Sequence, residues 1–106
     1  MKEKILEFYK FCDQRIGNQI FIKSYLSTNK DTFDRHFTST SELQFILENF
    51  GVRTSGARAV FIGENYNYEI ANDDIVSISM NKDGVYDIME KLSDTVFRKS
   101  LLSFTN

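Results

Sequence analysis

The segment RAVFIGENYNYEIANDDIVSISM, residues 58–80, contains three apolar runs of strand length with two short polar clusters between them. The runs cover residues 58–62, 66–71 and 75–80. The polar clusters are rich in Gly, Asn and Asp, the residues that tight turns favour. Because strands joined by tight turns usually pair with their chain neighbours, this segment predicts a three-stranded antiparallel meander.

The N-terminal third of the chain predicts one helix and one further strand. Apolar side chains recur at spacings of three and four over residues 2–16, which is typical of an amphipathic helix. From residue 19 to residue 27 the apolar side chains follow a two-residue period instead, which predicts a strand. Residues 29–38 have neither period and are expected to form an irregular connection.

Two more helices are predicted on either side of the meander. Ser39 and Glu42 have the spacing of a helix-capping box, and Leu43, Ile46, Leu47 and Phe50 follow at helical spacing, with Gly51 as the stop. After residues 81–84, which supply the cap candidates Asn81 and Asp83, the chain predicts a helix to about residue 102. For residues 95–104 the sequence leaves helix and strand open. The apolar stripe of this third predicted helix consists of Val85, Ile88, Met89, Leu92 and Val96.

The predicted fold class is therefore α+β, with a single layer of mostly antiparallel sheet packed against about three helices. The sheet would hold the three-stranded meander and one further strand. The 106 residues, 42% of them hydrophobic, suit one globular domain with a packed core. A lone cysteine, no apolar signal region and no long apolar run predict a cytoplasmic protein that does not enter a membrane.

Candidate catalytic groups are sparse. His36 is the one histidine, in a predicted loop, and Cys12 lies on the apolar stripe of the first helix. Gly51 and Gly56 have the glycine spacing of a phosphate loop, but Ala57 and Arg58 replace the lysine and hydroxyl residue that such a loop needs. The sequence predicts no enzyme, no cofactor and no metal. One alternative is a small anion-binding domain or enzyme built around Arg53, Arg58 and His36.

Acidic residues are concentrated in one part of the chain. The net charge is −2 overall, but residues 64–94 hold eight carboxylates against two lysines, a formal charge of −6. A negative surface attracts basic partners and repels nucleic-acid phosphates. Tyr66 and Tyr68 fall within this stretch on one face of a predicted strand, and tyrosine is common at the centre of protein interfaces.

The leading hypothesis is a small cytosolic inhibitor that binds a basic protein. Its most concrete form is an immunity protein that neutralises a nuclease-like toxin, because small bacterial immunity proteins are similar to this chain in size and polarity. A phage-type inhibitor or a regulatory or adaptor subunit of a nucleic-acid-handling complex is the alternative, and the oligomeric state stays open. The predicted partner-binding residues are Glu64, Tyr66, Tyr68, Glu69, Asp73, Asp74, Asp83 and Asp87.

Overall fold

The computed structural model describes residues 1–28, 39–53 and 57–105. In this part of the chain one α-helix precedes eight β-strands, and none of its helices has the length and hydropathy needed to cross a membrane. Residues 29–38, including His36 and the predicted irregular connection, lie outside the described residues. The elements are α1 Lys2–Asp13, β1 Gln19–Ser27, β2 Ser39–Ile46, β3 Asn49–Arg53, β4 Arg58–Gly63, β5 Tyr66–Ala71, β6 Ile75–Met80, β7 Tyr86–Lys91 and β8 Phe97–Phe104.

The strands form two antiparallel sheets. The larger sheet has five strands in the order β2-β1-β8-β7-β6, and the smaller has three in the order β3-β4-β5. The predicted fold class, a single sheet layer with about three helices, is therefore wrong. The described residues are mostly β, with one α-helix and two sheets.

The predicted meander has the right strands in the wrong arrangement. β4, β5 and β6 form where the apolar runs predict them, and β4 pairs with β5. The chain then leaves the smaller sheet through a 3-10 turn at Asn72–Asp74, and β6 pairs with β7 in the larger sheet. Turn residues indicate where the chain changes direction, but they do not specify which sheet the next strand joins.

The predicted second helix is replaced by β2 and β3. Leu43 and Phe45 face the core and Gln44 and Ile46 face away, which is the two-residue period of a strand. Ile46 fits the helical spacing in the sequence, but half of its surface is exposed, so it does not belong to a buried stripe. The capping-box residues form the start of β2, where they pair with β1.

The predicted third helix is replaced by the β7–β8 hairpin. Tyr86, Ile88 and Glu90 point inward at alternate positions. The Asn81 side chain accepts hydrogen bonds from the backbone N–H groups of Asp83 (2.8 Å) and Val85 (3.0 Å), so it closes the turn between β6 and β7 and does not cap a helix. Residues 97–104, which the sequence left open, form a strand.

The two sheets and the helix share one apolar core. The Phe8 ring of α1 is fully buried and lies 4.8 Å from the Tyr86 ring of the larger sheet and 6.1 Å from the Phe61 ring of the smaller sheet. Cys12 is also fully buried, and burial raises the pKa of its thiol, so the sulfur stays protonated and unreactive at neutral pH. The helix therefore fills the space between the sheets.

Candidate protein-binding site

The carboxylates of residues 64–94 do not form one continuous face. Three of them are paired with cations of the same chain: Glu90 with Arg98, Glu69 with Arg53 and Asp87 with Lys99, at 2.7, 3.8 and 3.4 Å. The other five lie in the connections between strands: Glu64, Asp73, Asp74, Asp83 and Asp94.

The strand order separates these connections. Glu64 is in the turn before β5, whereas Asp73 and Asp74 follow the end of β5, and a strand of six residues spans roughly 20 Å. Asp83 lies in the turn after β6, on the far edge of the larger sheet. The acidic stretch thus gives several small acidic regions, and the predicted partner-binding residues are not brought together.

The two predicted tyrosines have different surroundings although both point to the same face of β5. Tyr68 is buried, and its hydroxyl is hydrogen-bonded to the Ser100 hydroxyl of the other sheet at 2.6 Å. Tyr66 is 43% exposed. Of these two tyrosines, Tyr66 is therefore the one that can present its ring to a partner.

Tyr66 belongs to a shallow depression where the two sheets meet, which we call the corner patch. Its ring lies parallel to the Phe45 ring, with centroids 5.2 Å apart and an interplanar angle of 4°. Half of the Ile46 surface is exposed beside it. The depression measures about 400 Å³, and its lining residues, which define the patch, are Phe45, Ile46, Glu48, Glu64 and Tyr66.

Gly63 allows the patch to form. It pairs with Tyr66 across the β4–β5 hairpin, directly beneath the Phe45 ring. A Cβ atom at this position would overlap the Phe45 ring and come within 2.9 Å of the Ile46 carbonyl oxygen. The absence of a side chain therefore lets β2 pack on the hairpin, and the Glu48 N–H fixes the same corner by donating to the Ile62 carbonyl at 2.9 Å.

The patch combines apolar surface with exposed negative charge. Glu48 and Glu64 are exposed, and neither forms an ion pair with any residue in the described ranges. An aromatic ring next to carboxylates suits a lysine or arginine side chain, whose stem packs on the ring while its charge meets the acids. This arrangement can bind a cationic group.

A second, more polar cleft of about 450 Å³ lies along the free edge of β5. The buried Glu90 accepts a hydrogen bond from the Ala71 N–H at 3.0 Å, and Arg98 donates to the Glu69 carbonyl at 2.6 Å. These two backbone groups are among those that a further strand would bind. The ion pair therefore replaces a missing strand and ties the two sheets together, which is a structural role.

The arginines of the anion-binding alternative face opposite charges. Arg53 and Arg58 are cross-strand neighbours on β3 and β4, but Arg53 pairs with Glu69. Arg58 lines the polar cleft, which also holds three carboxylates and Arg98. His36, the third residue of this alternative, lies outside the described residues.

No protein-family model, no curated protein and no solved structure matches the chain. Within the described ranges, no group of three or more His, Cys, Asp or Glu side chains is placed to hold a metal ion. The corner patch contains two predicted residues, Glu64 and Tyr66. Sequence reasoning missed Phe45, Ile46 and Glu48 because it assigned them to a helix, although the alternation of Leu43, Phe45 and Leu47 could have indicated a strand.

Proposed function

We propose that this chain is a small cytoplasmic inhibitor that binds a basic protein through the corner patch, most concretely an immunity protein that neutralises a nuclease-like toxin. The observation that carries the proposal is the exposed Tyr66 ring, stacked on Phe45 in a depression that the exposed residues Glu48 and Glu64 also line. Of the residues predicted from sequence, only Glu64 and Tyr66 belong to this proposed site.

The patch has the physical features of a binding hot spot. Tyrosine is among the residues that contribute most to interfaces, and the Phe45 ring already holds Tyr66 in place. A side chain that is ordered before binding loses less conformational entropy in the complex. The flanking carboxylates add electrostatic steering, which speeds association with a positively charged surface.

The charge of the patch indicates which class of partner it fits. Enzymes that act on nucleic acids bind phosphates with clusters of lysine and arginine. Glu48 and Glu64 complement such a surface and repel the nucleic acid itself. An inhibitor seated on the basic cleft would therefore exclude the substrate.

The proposal is tested by affinity capture from the native host with the wild-type chain and the double variant Glu48→Lys/Glu64→Lys. We expect the wild-type chain to retain a basic protein and the double variant to lose it, because two attractive contacts become repulsive. The retained protein is identified by mass spectrometry, and its nuclease activity is measured with and without the chain.

The matched control is Asp83→Lys/Asp94→Lys, which changes the net charge equally at two exposed turns outside the patch. This control should retain the same protein. Loss of binding in both double variants would show that capture depends on overall charge, and it would refute the corner patch as the binding site. Capture that survives Glu48→Lys/Glu64→Lys would refute it as well.

A further inference from the structure

Strand β5 carries two tyrosines on one face, and one of them already holds an arginine. The guanidinium carbon of Arg98 lies 4.9 Å from the centre of the Tyr68 ring. Its Nε and Nη2 atoms are 2.9 and 2.7 Å from the Glu90 carboxylate. Ring, guanidinium and carboxylate form one unit, in which the ring attracts the cation and the carboxylate accepts its N–H groups.

Tyr66, two residues earlier on the same face, has a ring and carboxylates but no cation from the described part of the chain. The exposed residues Glu48 and Glu64 line the depression that the Tyr66 ring also lines. Within residues 1–28, 39–53 and 57–105, no lysine or arginine lies over this ring or pairs with either glutamate. Tyr66 can therefore take its cation from another molecule.

We infer that the cationic group bound by the corner patch is an arginine side chain of the partner. Its guanidinium stacks on the Tyr66 ring, as Arg98 stacks on Tyr68, and donates to the carboxylates of the patch. Its methylene stem packs on Ile46, half of whose surface is exposed. This inference rests on the proposed function for the basic partner and adds the type of residue that the partner presents.

The geometry of the patch favours arginine over lysine. The Tyr66 ring lies parallel to the Phe45 ring, at an angle of 4°, so it offers a flat and supported surface. A guanidinium is planar and weakly hydrated, whereas an ammonium is a compact and strongly hydrated charge. Its forked N–H donors can also serve two carboxylates at once. The chain stacks arginine on a ring at a second place, where the Arg15 guanidinium lies 3.4 Å over Phe11.

The test is a titration of the isotope-labelled full chain with two peptides of equal charge, acetyl-Gly-Arg-Gly-amide and acetyl-Gly-Lys-Gly-amide. Amide NMR at low ionic strength follows binding, because exposed charges are least screened there. We expect the arginine peptide to shift the amides of residues 45–48 and 63–66. It should bind about three times as tightly as the lysine peptide, the factor that an exposed cation–π contact contributes.

Variants separate the contribution of the ring from that of charge. Tyr66→Leu keeps both carboxylates, so the two peptides should then bind equally, whereas Tyr66→Phe keeps the ring and should retain the preference. Glu48→Gln/Glu64→Gln should weaken binding of both peptides. The matched control Asp83→Asn/Asp94→Asn changes the net charge equally outside the patch and should leave binding unchanged. The amide spectrum of each free variant verifies that it is folded.

The possible results distinguish this inference from the proposed function. Equal binding of the two peptides to the wild type, a preference that survives Tyr66→Leu, or no shift at the patch with either peptide would overturn the inference. The proposed function would still stand if the wild-type chain retains a basic protein that Glu48→Lys/Glu64→Lys loses. A patch that prefers the arginine peptide, in a chain that captures no basic protein, would contradict the proposed function and confirm the arginine site.

Discussion

Replacing Arg98 with methionine is expected to lower the free energy of unfolding by about 3–5 kcal/mol, because it leaves a buried carboxylate without its cation. Glu90 is completely buried, and Arg98 contacts it through both Nε (2.9 Å) and Nη2 (2.7 Å). The variant also loses the hydrogen bond to the Glu69 carbonyl and the packing of the guanidinium on the Tyr68 ring. Urea denaturation measures the change.

The neighbouring residue Lys99 provides the matched control. Lys99 pairs with the partly exposed Asp87 at 3.4 Å, and exposed pairs contribute at most about 1 kcal/mol. Lys99→Met should therefore cost much less than Arg98→Met. Adding Glu90→Gln to Arg98→Met should recover stability, because the amide oxygen still accepts from the Ala71 N–H without a buried charge. Equal costs for the two methionine variants would contradict a structural role for the Glu90–Arg98 pair.

Truncating Tyr66 to alanine is expected to weaken binding of the captured partner by about 30- to 1,000-fold, the equivalent of 2–4 kcal/mol for a central aromatic contact. The variant removes the ring stacked on Phe45 and leaves the rest of β5 in place. Since the ring is 43% exposed in the free chain, its loss should change the unfolding free energy far less than it changes affinity. Calorimetric titration measures the affinity.

Two further variants separate the contribution of the ring from that of exposed apolar surface in general. Tyr66→Phe keeps the stacked ring and should bind nearly as well as the wild type. Leu92→Ala removes an equally exposed apolar side chain, 41% accessible, near the β7–β8 turn and should have no effect. Unchanged affinity in Tyr66→Ala would remove the tyrosine from the proposed interface.

The elements that the sequence predicts correctly carry strong local signals. α1 shows a helical stripe, and β1 shows a clear alternation that matches its observed ends, Gln19–Ser27. β4, β5 and β6 are apolar runs bounded by Gly, Asn and Asp. In each case the residues that form the element also mark its limits, so no information from distant parts of the chain is needed.

Residues 39–50 were mispredicted because two periods coexist in them. Leu43, Ile46 and Leu47 match a helix, while Leu43, Phe45 and Leu47 match a strand. Local capping signals favoured the helix, but pairing of β2 with β1 decided the outcome. That pairing is a long-range interaction, which a local pattern does not contain.

The C-terminal strands were hidden by polar residues in the core. Glu90, Arg98 and Ser100 occupy inward positions of β7 and β8, so the apolar alternation typical of a strand is interrupted. Their burial depends on partners elsewhere: the Ala71 N–H for Glu90 and the Tyr68 hydroxyl for Ser100. No periodicity argument predicts a buried ion pair.

The candidate site also depends on contacts between distant parts of the chain, which local sequence patterns do not contain. The acidic stretch indicated Glu64 and Tyr66, but the surface that completes the patch comes from β2 and the β2–β3 corner. Gly63 brings these parts together, and its importance is visible only once β2 lies across the hairpin. The sequence therefore indicated a basic partner, whereas the structure was needed to restrict the proposed contact to five residues.

The location of the partner on the chain is measured most directly by comparing amide NMR spectra of the isotope-labelled chain with and without the captured protein. If the corner patch is the binding site, the largest shifts will fall on residues 45–48 and 63–66. Shifts concentrated beside Glu69 and Asp74, with the amides of residues 45–48 and 63–66 unchanged, would contradict the proposal.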